Sequence, residues 1–450
     1  MRHIYHESAF DTAAPVGSLW EETAGDPVEC PDLAVEENAT CEVAIIGAGV
    51  TGLSAAYHMA RDNGVSVRVL EAGVVGWGGS GRNGGFVGGG GSKVDPDVLA
   101  KRHGLAEAKR FVDWQKSTVE LVADILQSEN IDADKSGSNE IGFAHKPNRA
   151  EGFRKYVEYS NKTFGTDYSY LDKDQCRDHG IAGPQVHGGL LIPGYFGIHP
   201  MKYTRGLARA AQKHGAIIHE QAPVNGWRKD GDTHVLSTPK GEVRAKKVII
   251  GTNGYTAEDT NKGLAGRMLP GLSNILVTRP LTKEEIKAQG WTTTDICFDS
   301  RKLLHYIRLL PDGRFLFGGR GGWDASDEGK ARMRVYMEKT FKEMLPAWSD
   351  VEFTHFWNGF ICLSYDLVAH ISNPQGDGSV WSALGWQGSG VAAGTGAGKL
   401  VAKLTVGEAT AQNDIPLVMR SEPPKFPFPF LRTTYLRAAY TLYHYQDEYF

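Results

Sequence analysis

Cysteine is scarce in this chain: Cys30, Cys41, Cys176, Cys297 and Cys362 are the five among 450 residues, far apart and without C-x-x-C spacing. That pattern argues against a disulfide framework and a cysteine-built metal site, and it fits thiols kept reduced in a cytoplasm. No run of about 18 apolar residues occurs, and residues 1–40 are polar and acidic without an apolar signal core, so neither a membrane span nor export is expected. No block of lysines and arginines stands against the net charge of −4, which argues against nucleic acid and a charged membrane surface as partners. Hydrophobic residues at 41% and charged residues at 23% are ordinary globular usage, so the chain has the means to bury a core.

Glycine is what the chain has in excess: 55 residues, many of them in 47–52, 76–91 and 385–398. Such clusters let backbone approach a ligand closely or adopt positive φ. At roughly 150 residues per domain the length implies at least two domains. Residues 1–40 read as an arm lying on the body. Residues 41–47 (CEVAIIG) form a buried strand ending in glycine, 53–63 a helix stopped by Gly64, and 65–70 a strand ending at Glu71. Apolar residues at helical intervals (Leu99, Leu105, Ala108, Phe111, Val112, Val119, Leu121, Ile125) predict helices over 97–130. A helix over 203–214 closed by Gly215, then strands at 216–220 and 246–251, continue the first unit. Runs at 275–278 and 303–310, with the turn Pro311-Asp-Gly313, predict an antiparallel sheet. A strand at 379–384, a glycine loop at 385–390 and a helix to about Leu404 follow. The tail from 423 mixes proline with aromatics and reads as an extended strap before a short final helix.

Gly47-Ala-Gly49-Val50-Thr51-Gly52 matches G-x-G-x-x-G between a strand and a helix, and Glu71 ends the second strand nineteen residues after Gly52. Gly47 makes the turn, Gly49 lets a pyrophosphate touch backbone at the helix N-terminus, Gly52 admits close helix-on-strand packing, and Glu71 accepts from the adenosine ribose. The acid also disfavours NADP, whose 2′-phosphate it repels. A second glycine loop, carrying Gly79, Ser80, Arg82, Asn83, Gly84 and Gly85, points to FAD rather than NAD. Free NAD needs no such loop, and Ser80, Arg82 and Asn83 read as donors for a phosphate and the flavin ring.

These motifs resemble the D-amino-acid-oxidase-like superfamily of FAD-dependent oxidoreductases, and within it the gamma-glutamylputrescine oxidoreductase type. The resemblance runs from Ser18-Leu-Trp20 through Gly197-Ile-His-Pro200, Gly206-Leu207, Gly251-Thr-Asn-Gly254 and Trp357-Asn-Gly359 to residues 384–391 (LGWQGSGV). It implies an α/β fold with an α+β second domain, in which a Rossmann-like FAD-binding domain is interwoven with an antiparallel-sheet substrate domain. The expected partition is an arm (1–40), a discontinuous FAD-binding domain (41–98, 191–265 and 366–420), a substrate domain (99–190 and 266–365), and a C-terminal strap and short helix (421–450). It further implies FAD contacts at Ala72, Val224, Asn253, Gly254, Gly385, Gln387, Gly388, Ser389, Gly390 and Val391. The 385–391 loop and the helix after it are expected at the flavin N1–C2=O edge, where negative charge develops on reduction.

The implied chemistry is oxidation of a carbon–nitrogen bond: hydride leaves the carbon beside a neutral amine for flavin N5, the imine hydrolyses to aldehyde plus amine, and oxygen or another acceptor reoxidises the flavin. The pattern departs where amino-acid-oxidising members carry Trp-x-Gly-x-Arg-Pro. Here Ile361 takes the arginine position, and Ala369-His370 replaces a proline usual a few residues later. A carboxylate clamp there is lost, so a primary or N-substituted amine is expected in place of a simple amino acid. Tyr255, Tyr306, Arg308, Arg320 and Trp357 are the candidates to face flavin and substrate. Tyr306 and Trp357 read equally well as core aromatics, and Arg308 and Arg320 as structural charges. His199 reads as a base or, before Pro200, as a helix start. Hydride transfer needs only a deprotonated amine, so no dedicated catalytic base is demanded. Cys362 and His370 match no covalent attachment position, and FAD is expected to be held non-covalently. Two other readings stay open: an amino-acid oxidase clamped by Arg308 or Arg320, and a non-catalytic flavin-binding subunit.

Overall fold

A computed structural model describes residues 3–36 and 39–449. The β-branched run after the arm forms the strand Ala39–Ile46, which pairs in parallel with Val67–Leu70 on one side and Gly241–Ile250 on the other. Ile217–His219 and Val380–Leu384 extend this parallel core, and His370–Ser372 adds an antiparallel edge. A meander of Gly226–Asp230 and Thr233–Thr238 hangs on Gly241–Ile250. The helices Val50–Asn63, Pro200–Lys213 and Val391–Val406 pack side by side, and the long helix Leu105–Ser128 lies on the last of them. Small residues on facing helices allow this closeness: a Cβ on Gly398 would come within 2.6 Å of the Ser54 Cβ. Gly64 ends the first helix at φ +63°, as its C-cap position requires.

The second sheet runs in the order Phe353–Leu363, Leu269–Thr278, Phe315–Arg320, His305–Leu309, Ile296–Asp299, Asn139–Phe143, Gly189–Pro193, Ser169–Leu171. It is antiparallel as expected, with one exception: Ile296–Asp299 runs parallel to Asn139–Phe143, because these strands come from distant stretches of chain and need no hairpin. One face packs on helix Asp327–Met344 through Leu276, Ile307, Phe317 and Phe341. The other face looks towards the first sheet.

Four boundaries differ from the sequence reading. The first strand begins at Ala39, inside the expected arm. The expected limit at 191 falls within Gly189–Pro193, a strand of the second sheet. The helix expected from 203 starts at Pro200, whose fixed φ suits a first turn. The final helix is not short: Arg432–Tyr449 has 18 residues, and its aromatics obscure any apolar stripe in the sequence. The arm itself carries the helix Leu19–Thr23, capped by Ser18, with Leu19 and Trp20 buried.

Candidate active site

A cavity of about 410 Å³ opens between the two sheets. Its far end is the strand–turn–helix unit, lined by Gly47, Gly49, Val50, Thr51, Glu71, Ala72, Val224 and Asn253. Gly47 sits at φ +103°, a conformation L side chains avoid. Gly52 faces away from the cavity, where a Cβ would fall on the Gly47 carbonyl. Glu71 accepts from the N–H groups of Ala48 (2.8 Å) and Gly73 (2.9 Å), which fixes its carboxylate at the end of its strand. Burial pushes its pKa up, and those amides pull it back. The Val50 N–H donates to Ser80 Oγ at 3.0 Å, so the hydroxyl marks the positive end of helix Val50–Asn63, where a pyrophosphate finds its complement. A dinucleotide fits this end on the residues present: a bare helix N-terminus at Gly49, a serine beside it and a buried acid at the strand end.

Gly79, Ser80, Arg82, Asn83 and Gly84 reach the cavity, whereas Gly85 packs behind it. Side chains of the body hold four successive carbonyls of this loop. Trp357 Nε1 donates to Arg82 O (2.8 Å), Trp20 Nε1 to Asn83 O (2.8 Å), and Arg308 Nη1 to Gly84 O (2.9 Å), with a longer contact to Gly85 O (3.4 Å). Arg308 also donates to Ile198 O (2.7 Å) and Ser136 Oγ (3.1 Å). These bonds favour the core and structural readings of Trp357 and Arg308 over the substrate-facing one, and they correct the reading of Asn83 as a donor to the flavin. Trp357 and Arg308 do not line the cavity and clamp the loop instead; burial lowers the Arg308 pKa to about 10, so it stays charged at neutral pH. Asn83 spends its amide on Gly79 O, Ser80 O and the Gly85 N–H, and so shapes the loop rather than donating to the flavin ring. Arg82 likewise gives Nε to Trp77 O and lies over the Trp77 ring at 4.3 Å.

On the C-terminal loop, Gly388, Ser389, Gly390 and Val391 line the cavity at the start of helix Val391–Val406. Gly385, Gln387 and Gly254 do not. Gln387 turns its amide to Ser364 Oγ, Val368 O and Gly385 O, and Asn253 Oδ1 accepts from the Gly385 N–H at 2.9 Å, so these residues set the loop from behind.

The register of the second sheet builds the cavity floor. Ser273 pairs with both Gly359 and Arg320, Gly318 with Tyr306, Tyr306 with Phe298, and Phe298 with Gly142. Directly paired residues share a face, and so do residues two apart on one strand. Ile361, Gly359, Ser273, Arg320, Tyr306, Phe298 and Glu140 therefore point one way, and all of them line the cavity. Gly142 leaves room for the Phe298 ring, which a Cβ there would approach to 2.7 Å. The Tyr306 hydroxyl bonds Ser273 Oγ at 2.9 Å, and burial pushes its pKa up to about 12. Tyr255 adds a wall against Phe360 and Trp77. Arg320 has a single long contact, 3.4 Å to Gln387 O. Lys93 and Glu140, which the sequence reading did not single out, also face this space. The only signal for Glu140 is an acid two positions before a glycine in the short apolar segment Asn139–Phe143.

Other candidates lie outside. His199 caps helix Pro200–Lys213 by accepting from the Lys202 N–H, and its other nitrogen meets Thr23 Oγ1 at 3.0 Å. Burial lowers its pKa to about 4, so it is a structural cap. His370 is held between Asp366 and Ser421 O and does not line the cavity. Cys362 does line it, but its thiol rests on Met268 Sδ at 3.5 Å and burial pushes it up to about 12, a poor nucleophile. Among the described residues no cluster of three or more His, Cys, Asp or Glu is placed to hold a metal, and no helix is long and apolar enough to cross a membrane.

The loop between Phe298 and Tyr306 is pinned by Asp299, which accepts from the His305 N–H (2.9 Å) and pairs with His305 Nδ1 (2.7 Å) and Arg301. Burial alone would raise this carboxyl, but His305 and Arg301 hold it down at about 2. A depressed carboxylate adds stability above its unfolded pKa, near 4, that is lost as pH falls towards 2. Asp299→Asn is therefore expected to lose roughly 2 kcal/mol at neutral pH and to flatten the fall in stability between about pH 4 and 2, read by urea denaturation across pH.

A Rossmann-type nucleotide unit joined to a mixed sheet that floors one shared cavity is the architecture of a flavin-dependent oxidoreductase. Residues 42–404 match the family model described as FAD dependent oxidoreductase, and the chain belongs to that family, with FAD as its cofactor. It is similar to the probable oxidoreductase OrdL of Rhizobium meliloti (strain 1021), 30% identical over 86% of this chain and 87% of that one. It is also similar to gamma-glutamylputrescine oxidoreductase of Escherichia coli (strain K12), 29% identical over 90% of this chain and 92% of the other. Among solved structures, glycine oxidase from Bacillus cereus ATCC 14579 superposes with a TM-score of 0.68 at 20% identity, covering 85% of this chain and 99% of that one, a likeness of fold.

Proposed function

We propose that this protein oxidises the CH–NH bond of a primary or N-substituted amine, releasing an aldehyde and an amine after hydrolysis of the imine. The observation that carries the reading is Ile361, an apolar side chain on the floor, paired with Gly271 and near Gly388, where amino-acid-oxidising members place a guanidinium. An aromatic and aliphatic wall of Tyr255, Phe298, Tyr306, Phe360 and Ile361 suits an extended carbon chain better than a bare α-amino acid. Bound FAD supplies the two-electron acceptor. Gly49, Ser80 and Glu71 would hold its adenosine and phosphate half, and Ser389, Gly390 and the N-terminus of Val391–Val406 its ring edge. The cavity-lining thiol, Cys362, rests on Met268 Sδ, which supports non-covalent binding of FAD. Work in a cytoplasm fits the free cysteines.

The relative named for gamma-glutamylputrescine supports an N-acylated diamine. The test is anaerobic mixing with a panel of γ-glutamylputrescine, N-acetylputrescine, sarcosine, glycine and D-alanine, read as loss of the visible flavin band. Bleaching by the N-substituted diamines and not by glycine or D-alanine is expected; equal bleaching by all would favour an amino-acid oxidase, and none by any would favour a non-catalytic flavin protein.

One observation favours a second reading, an amine that also bears a carboxylate. The Arg320 guanidinium faces the cavity with only the Gln387 contact, and burial lowers its pKa. A buried cation short of partners invites an anion. On this reading Arg320→Met raises KM for a carboxylate-bearing amine about 100-fold while leaving that for N-acetylputrescine within about threefold; equal effects on both would remove it.

A further inference from the structure

Besides Glu71 and Arg82, three charged groups from separate segments face this cavity, and among the described residues two of them make no side-chain hydrogen bond or ion pair. Lys93 comes from the glycine-rich stretch after the flavin loop, Glu140 from strand Asn139–Phe143 and Arg320 from Phe315–Arg320. Among the described residues, neither the Glu140 carboxylate nor the Lys93 ammonium takes part in a side-chain hydrogen bond or an ion pair. The acid of neighbouring chain, Asp295, is spent on the N–H groups of Ser138 and Asn139 (2.8 and 3.0 Å). Leaving a carboxylate unpaired and turned inward is costly, so its partner is expected from outside the chain.

The position of Glu140 is defined by the floor. It shares a face with Gly142, Phe298, Tyr306 and Arg320, and lies three strands (roughly 14 Å) across the sheet and four residues (roughly 13 Å) along it from Arg320. Gly88 and Gly89 bring the glycine-rich segment over it: a Cβ on Gly88 would sit 3.2 Å from Glu140 Oε2. A substrate amine lying across Tyr306 and Phe298 thus has Glu140 on its own floor, whereas the other carboxylate of the cavity, Glu71, stands at the nucleotide end on the strand–turn–helix unit. Such a group eases the chemistry near neutral pH, although solvent can also take the proton. An alkylamine enters near neutral pH as an ammonium ion, and no hydride can leave the adjacent carbon until nitrogen has its lone pair back.

We infer that Glu140 is the proton acceptor for the substrate's ammonium group. The inference rests on the amine-oxidation reading and deepens it. R–CH2–NH2⁺–R′ gives a proton to the Glu140 carboxylate, leaving R–CH2–NH–R′ and the neutral acid. A hydride then leaves the carbon for FAD, and the iminium R–CH=NH⁺–R′ takes up water to give the aldehyde and R′–NH3⁺.

The surroundings suit the task. Burial raises the Glu140 pKa to about 7, and Lys93 opposes that rise. Facing it are Lys93, Tyr195 beyond Gly189–Pro193 and Tyr168 before Ser169–Leu171, while Cys297 lies on the opposite face of the adjoining strand. Burial holds Lys93 well below the usual lysine range, and Arg320 adds to that. Both phenols are pushed upward and stay neutral. Burial thus brings Glu140 towards neutrality from below and Lys93 towards it from above, and of the two only Glu140 in its charged form can accept a proton from an ammonium ion.

The test is the pH dependence of anaerobic flavin reduction in the holoenzyme and in Glu140→Gln, with γ-glutamylputrescine and N-acetyl-N′-methylputrescine as probes. The unaltered protein is expected to show an acid limb near pH 7. Glu140→Gln is expected to be slower by about 10²–10⁴ there, and to recover to within about fivefold near pH 10, where roughly a quarter of the amine is already neutral in solution. Lys93→Met is expected to move the limb to higher pH. A second readout keeps folding apart from chemistry: perturbation of the flavin band by the methyl ether in which oxygen replaces the amine nitrogen of the second probe should be unchanged in Glu140→Gln. A loss that persists at high pH, an unchanged limb, or a lost ether response each overturns the role of Glu140. If neither probe nor any amine of the panel reduces the unaltered protein, the amine reading itself falls and the proton acceptor with it.

Discussion

Gly52→Ala is expected to purify with less than about a tenth of a molar equivalent of FAD. The added methyl would fall on the Gly47 carbonyl and come 3.1 Å from Ile45 Cγ2, both parts of the strand and turn that support helix Val50–Asn63. Backbone cannot yield as a flexible side chain does, so the first turn of the helix must lift. Overpacking of this kind costs about 1–3 kcal/mol in stability. Its larger effect is at the cavity: lifting the helix carries the Val50 N–H away from Ser80 and withdraws the positive helix end from the phosphates. The measurement is the ratio of visible to ultraviolet absorbance in freshly purified protein, with circular dichroism to show that the fold persists. Stoichiometric FAD in the variant would mean that the cofactor does not lie at this turn.

The second large effect is expected at Arg308. Its guanidinium ties Gly84 O, Ile198 O and Ser136 Oγ together across three segments distant in sequence. Arg308→Met keeps much of the volume but leaves two buried carbonyls without donors, each worth about 1–3 kcal/mol, offset in part because a buried cation is removed. A net loss of about 2–4 kcal/mol follows, together with weakening of FAD binding by about 10–100-fold as the loop loosens. Guanidinium denaturation and FAD dissociation measured on the same sample separate the two effects. If Arg308 were instead a substrate clamp, the variant would keep its FAD affinity and lose only turnover.

What the sequence disclosed depended on the range of the pattern. Gly47, Gly49, Gly52 and Glu71 are set by a local strand–turn–helix, and their spacing alone located the nucleotide end. Arg308 and Trp357 were read towards substrate because their strands were known to face the flavin. Their side chains share that face but stop at the loop carbonyls, a distinction made by distances across the sheet. Asn83 looked like a donor for the ring because side-chain bonds within a loop leave no periodic trace. Glu140 reaches the floor only through pairing of Asn139–Phe143 with Ile296–Asp299, more than 150 residues away, which nothing in the local sequence announces. Ile361 was legible because it replaces an expected residue inside a motif.

The central claim, that the cavity floor presents an amine's CH–NH bond to FAD, is tested most directly by an anaerobic single turnover with γ-glutamylputrescine at one equivalent per bound flavin. One aldehyde is expected for each flavin reduced. Flavin that stays oxidised, or is reduced without aldehyde, would contradict it.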